Sequence, residues 1–162
     1  MAISSDDLDL VLERVVDVAP ELLWKAWTEP DRLMRWFTPD PWKTIACEID
    51  LRPGGRFKTT FQGPEGQRVE NPAGCYLEVV PNRRLAWTGV LQPGFRPQVP
   101  QPFPNNFPFT CILTFTPEGK GTHYRAHLLH ADAAGRDTHA KMGFHDGWGK
   151  ALDQLVAMCK AG

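Results

Sequence analysis

The sequence predicts an α+β domain in which an antiparallel sheet is covered by one long C-terminal helix. Three observations carry this expectation. The segment from His139 to Cys159 repeats Met142, His145, Trp148, Leu152, Leu155, Val156 and Cys159 at helical spacing. A helix of about 20 residues spans roughly 30 Å at about 1.5 Å per residue, the width of a small domain. Upstream of it, short stretches alternate apolar and polar residues and are bounded by Gly and Pro. These stretches connect through turns rather than crossover helices, so the strands run antiparallel. A helix laid on a curved sheet can leave a cavity between the two layers, and function is sought there.

The elements follow in order. Leu8 to Val18, rich in Val and Leu, predicts a first strand. Ala19-Pro20-Glu21 opens a helix with proline at its first position, and Leu23, Trp24 and Trp27 form its apolar face. Glu29-Pro30-Asp31 opens a second short helix carrying Leu33, Trp36 and Phe37, which Pro39 and Pro41 stop. Ile45, Cys47, Ile49 and Leu51 then point one way while Thr44, Ala46, Glu48 and Asp50 point the other. Arg52-Pro53-Gly54-Gly55 predicts a type II turn, with proline pre-setting the first central residue and glycine accepting positive φ at the second. Phe57, Thr59 and Phe61 continue on the partner strand. Two more strands are predicted at Ala73–Val80 and Arg84–Val90, and two at Phe109–Phe115 and Thr122–Leu129; Asp132 is the expected N-cap of the last helix. Between Gln92 and Pro108 lie six prolines with Phe95, Phe103 and Phe107 among them. That composition excludes a central strand and is too aromatic for a plain linker, so it reads as a lid, a dimer contact or a loop packed on its own molecule.

At 162 residues the chain is expected to form one domain, residues 1–162, large enough for a core. A net charge of −1 with no basic stripe argues against nucleic acid as a partner. No apolar run approaches the length of a membrane span, and the first residues lack the pattern of a signal peptide, so a cytoplasmic location is expected. Cys47, Cys75, Cys111 and Cys159 are scattered and read as free thiols, three of them in apolar alternation. His123 and His127 share a strand face but stand about 13 Å apart along it, too far for one ion. No zinc motif, phosphate loop or nucleophile elbow is present, so no metal and no cofactor are expected.

Four segments together carry a family resemblance: Val18-Ala-Pro-Glu-Leu-Leu-Trp24 with Trp36-Phe37, Asp50-Leu-Arg-Pro-Gly-Gly-Arg-Phe57, Pro81-Asn-Arg-Arg-Leu85, and Gly143-Phe-His-Asp-Gly-Trp148. In this order the chain resembles the SRPBCC, or START-like, superfamily, and within it the bacterial branch named for the activator of heat-shock-protein-90 ATPase. The resemblance implies a helix-grip fold, a seven-stranded antiparallel sheet curved around the C-terminal helix with two short helices after the first strand. It also implies a cavity that often holds an apolar small molecule. Relatives include lipid carriers and polyketide cyclases or aromatases. Only a few residues precede the first predicted strand, so the separate N-terminal domain of the eukaryotic chaperone activators is not expected here.

The expected function is binding of a small hydrophobic or aromatic molecule between sheet and helix. The alternatives are a cyclase- or aromatase-like enzyme and a chaperone-contacting interaction protein; a homodimer is possible through the aromatic loop. His145 is the first candidate contact, since it shares the helix face of Trp148 and Leu152 and can bond a ligand carbonyl or hydroxyl. The alternative is a histidine bonded to a strand or exposed. Trp148 is either a stacking partner or a core anchor. Gly143, Gly147 and Gly149 each cost the helix about 1 kcal/mol relative to alanine, which close helix–strand packing or room for a ligand would offset. Phe57, Phe61, Trp87, Phe109, Leu113, Phe115, Tyr124 and Leu128 are the expected residues of the concave sheet face. Apolar strand residues alone do not distinguish a hollow interior from a filled one.

Overall fold

The computed structural model describes residues 7–99 and 108–161. Strand β1 (Asp9–Val16) leads into helix α1 (Pro20–Thr28) and the single-turn helix α2 (Pro30–Leu33). Proline opens both helices, as the local signals predict. Then come β2 (Lys43–Ile49), β3 (Arg56–Gln62), β4 (Arg68–Glu70), β5 (Gly74–Val80) and β6 (Arg84–Thr88). A small hairpin, β7 (Leu91–Gln92) and β8 (Arg96–Pro97), precedes β9 (Phe109–Glu118) and β10 (Gly121–His130). Helices α3 (Ala133–Lys141) and α4 (Phe144–Ala161) close the chain.

Seven strands pair in the order β1-β10-β9-β6-β5-β3-β2, every pairing antiparallel, with β4 added on β3. The sheet curls around α4 in a helix-grip arrangement. Period-two burial sets its concave face. On β10, Thr122, Tyr124, Ala126, Leu128 and His130 are buried while the residues between them are partly exposed.

The turn at Arg52–Gly55 has the predicted geometry. Gly54 sits at φ +83°, and the Gly55 N–H donates to the Arg52 carbonyl at 2.8 Å. A Cβ on Gly55 would lie 1.9 Å from the Asp50 carbonyl oxygen, so only glycine fits there. The turn is also held from outside: the Gly54 N–H donates to the Tyr76 carbonyl at 2.7 Å, and the Gly94 N–H donates to that of Gly54 at 2.8 Å.

Two expectations are corrected. The single helix from His139 to Cys159 is two helices. Gly143, at φ +92°, breaks the chain between α3 and α4, a conformation that costs L-residues with a side chain. Asp132 is the N-cap of α3, accepting from the Gly135 N–H at 2.8 Å. Thr44, expected on the polar face of β2, is buried and hydrogen-bonded to Thr38, because the register slips between Thr44 and Ala46 and turns it inward.

Helix α4 is fastened to the chain between α2 and β2. The Gln154 side-chain amide donates to the carbonyls of Trp36 and Thr38, both at 3.0 Å, and its oxygen accepts from the Asp40 N–H at 3.0 Å. Lys150 Nζ donates to the Asp40 carbonyl at 2.9 Å. These bonds hold residues 36–40 beside the middle of α4. No helix among the described residues is long and apolar enough to cross a membrane.

Candidate functional site

A cavity of about 530 Å³ lies between the concave sheet and the N-terminal half of α4. Ligand pockets span about 300–1,000 Å³, so its size suits a small organic molecule. The sheet contributes Phe57, Thr59 and Phe61 from β3, Trp87 from β6, Phe109 from β9 and Tyr124 from β10. The opposite wall is Phe144, Gly147, Trp148 and Ala151, which follow the i, i+3, i+4, i+7 stripe of one helix face. Trp27 of α1, Trp36 and Phe37 close one side, while His139 of α3 and the Met142–Gly143 joint lie at another.

The walls are rings in mutual contact. Phe57 lies 5.0 Å from Trp87 and 6.0 Å from Phe37, centroid to centroid. Trp87 lies 5.6 Å from Phe109, and Trp148 sits 6.3 Å from Phe109 and 5.5 Å from Phe144. Most of these pairs are edge-on or tilted, as ring quadrupoles favour. No Lys, Arg, Asp or Glu lines the cavity among the described residues.

Its polar groups are few and neutral. Burial, assisted by the neighbouring Cys111, pushes the Tyr124 phenol upward, so it stays protonated. The Trp27 indole N–H is buried and meets no acceptor in good hydrogen-bonding geometry, yet lies near enough to the Tyr124 hydroxyl to favour its ionised form slightly. The Trp87 indole N–H is likewise buried without an acceptor among the described residues.

A pair of histidines stands at the cavity margin. His130 Nδ1 lies 2.9 Å from the Leu8 carbonyl, and its Nε2 lies 3.0 Å from His139 Nδ1. A carbonyl only accepts, so His130 Nδ1 carries the proton and its Nε2 is the acceptor; His139 Nδ1 then donates to it. Desolvation, followed by the charge His130 would carry, lowers the His139 pKa to about 4. Desolvation lowers that of His130 as well, opposed by its bond to Leu8. Both rings are therefore neutral at pH 7, and their tautomers are set by one backbone oxygen.

Phe57, Phe61, Trp87, Phe109, Tyr124 and Trp148 are thus brought together around one void. Leu113, Phe115, Leu128 and Leu152 are instead fully or almost fully buried in the solid core beyond it. His145 is corrected most plainly: it is exposed, its ring packed against Phe144 at 5.0 Å, and it does not line the cavity. One residue step turns a helix by about 100°, and the break at Gly143 gives the inward position to Phe144. Of the proposed lid, residues 100–107, with Phe103 and Phe107, lie outside the described residues. Phe95 is not part of the cavity wall: half exposed at φ +63°, it covers the Arg52–Gly55 turn, where a Cβ on Gly54 would meet its ring at 2.7 Å.

Sequence reasoning missed Trp27, Trp36, Phe37, His139 and Phe144 as cavity residues. His130 was legible, since it shares parity with Leu128 and Tyr124 on β10. Its pairing with His139 was not, because it depends on how α3 folds back.

The comparisons with known proteins agree with this fold. The family model described as Activator of Hsp90 ATPase homolog 1-like protein matches residues 17–160. The crystal structure of protein NE0264 from Nitrosomonas europaea is 41% identical, with 98% of this chain and 97% of that one covered and a TM-score of 0.89. Two more distant structures share the fold. Ms6760 from Mycobacterium smegmatis is 23% identical over 96% of this chain and 92% of that one, with a TM-score of 0.76. CalU16 from Micromonospora echinospora is 24% identical over 93% and 75%, with a TM-score of 0.64. No curated protein matches the chain. On the match over residues 17–160 and the helix-grip fold, this chain belongs to the Activator of Hsp90 ATPase homolog 1-like family.

Proposed function

We propose that the protein binds a small hydrophobic or aromatic molecule in the cavity between its sheet and α4. The observation that carries this reading is a void of about 530 Å³ walled by aromatic rings and free of ionic side chains among the described residues. Phe57, Phe61, Trp87, Phe109 and Trp148 supply contact area, and Tyr124 supplies direction. Burying about 250 Å² of apolar ligand surface at about 25 cal/mol per Å² gives roughly 6 kcal/mol before the costs of association.

Gly147 offers a direct test. It lines the cavity, and a Cβ built on it meets nothing within 4 Å. Gly147→Leu is therefore expected to fill the void without disturbing the fold. The neutral fluorophore N-phenyl-1-naphthylamine should brighten with the native protein and not with Gly147→Leu, while the melting temperature of the variant is unchanged or raised. A probe that ignores the native protein, or brightens equally with both, would sink the proposal.

A further inference from the structure

The cavity's polar groups specify more than an apolar guest. A charged ligand entering a space with no ionic side chain among its described lining loses hydration and gains no counter-charge. The space therefore favours an uncharged guest. Tyr124 is 2% exposed and lines the cavity beside Trp27, whose indole N–H lies near its hydroxyl. An indole N–H can only donate, so the Tyr124 oxygen can accept from it while the hydroxyl's own proton is left to bond elsewhere. The Trp27 N–H, 1% exposed as a residue, is itself short of a well-placed acceptor.

We infer that the ligand is an uncharged aromatic compound carrying a carbonyl-type oxygen, and that this oxygen accepts a hydrogen bond from the Tyr124 hydroxyl. The inference rests on the binding role proposed above. Hydrogen bonds in a chain polarise one another. When the hydroxyl donates to a ligand oxygen, its own oxygen becomes a better acceptor, which draws in the Trp27 N–H. One ligand atom thus bonds the Tyr124 hydroxyl and, through it, gives the buried Trp27 N–H a better acceptor, a stronger gain than a surface hydrogen bond offers.

The test compares 9-fluorenone with two relatives of similar shape, fluorene and fluorene-9-carboxylate. Calorimetry on the native protein should show fluorenone binding about tenfold tighter than fluorene, as about 1.4 kcal/mol of added hydrogen bonding implies, with the carboxylate weakest. Tyr124→Phe should bring fluorenone to the level of fluorene and leave fluorene within about twofold. The bound fluorenone carbonyl stretch should fall in frequency in the native protein and return in Tyr124→Phe. Should that variant fail to fold, the native protein still decides: the carbonyl band must shift, and the Trp27 indole proton must move downfield with fluorenone and not with fluorene. Equal affinity for fluorene and fluorenone, an unshifted carbonyl band, an unmoved Trp27 resonance or tightest binding by the carboxylate overturns the inference and leaves the binding role standing. Failure of all three compounds to bind overturns both.

Discussion

Helix α4 meets the sheet twice, and the two meetings differ. Beyond Ala151 it is packed solid: Leu152 and Leu155 are at most 1% exposed and join a core containing Leu113, Phe115, Leu128 and Trp24, with α1 touching both α4 and β9. Its N-terminal half presents Phe144, Gly147, Trp148 and Ala151, and a void remains. Both halves are apolar, so hydrophobicity alone does not decide between full and hollow. What differs is shape. In the filled half, leucines and the Trp24–Phe115 ring pair interdigitate with α1 laid over them, whereas in the hollow half rings propped against one another across a glycine and an alanine leave a gap.

The largest expected contrast comes from truncation. Leu155→Ala, in the filled half, should cost about 3 kcal/mol, within the usual range of roughly 2–5 for buried leucine, and should leave probe affinity little changed. Trp148→Ala, in the hollow half, should cost about 1–2 kcal/mol because Trp148 is half-buried and one side already faces space, yet it should weaken probe binding severalfold. Urea unfolding and fluorescence titration of both variants measure the contrast; equal stability losses would erase it.

Acid should act on the hollow half through His139. Its native pKa of about 4 lies below the ordinary value near 6.5. The unfolded chain therefore binds more protons between those values, and stability rises with pH across them. Stability is full above about pH 6.5 and declines as pH falls toward 4, with roughly 2–3 kcal/mol attributable to this ring. Urea midpoints from pH 7 to 4 should show the decline, and His139→Gln should flatten it.

A smaller effect is expected at Gln154, which bonds the cavity-wall segment to α4. Gln154→Ala should cost about 1–2 kcal/mol and weaken the probe through a loosened wall rather than a lost contact. Rescue of probe affinity by Gln154→Glu, which keeps one acceptor for the Asp40 N–H, should be partial at best. The smallest change is a gain. Gly147→Ala adds a good helix former in open space and should stabilise by about 0.5–1 kcal/mol. A loss instead would mean that the space beside Gly147 is not open.

Much of the fold was legible because its signals are local. The alternation on β10, the proline starts of α1 and α2, the Asp132 cap and the Pro53-Gly54 turn each need only a few neighbouring residues. The candidate site was legible in part. Six expected residues line the void because strand parity assigned them to the concave face: Phe57, Phe61, Trp87, Phe109 and Tyr124, together with Trp148 on the helix stripe. His145 was misplaced because helical periodicity was carried across Gly143 without a break. Leu113, Phe115, Leu128 and Leu152 have the right face and the wrong position along it, which periodicity does not measure.

By itself, the sequence determined the strand faces, the helix starts, the turn chemistry and the near-neutral apolar character of the interior, since these follow from backbone geometry and burial within a few residues. Tertiary structure alone decided where the interior stays empty, which aromatic rings from α1 and the segment after α2 wall it, and that His130 and His139 meet. Those outcomes depend on how separate elements pack against one another, and a void is a property of the mismatch between surfaces rather than of any one segment.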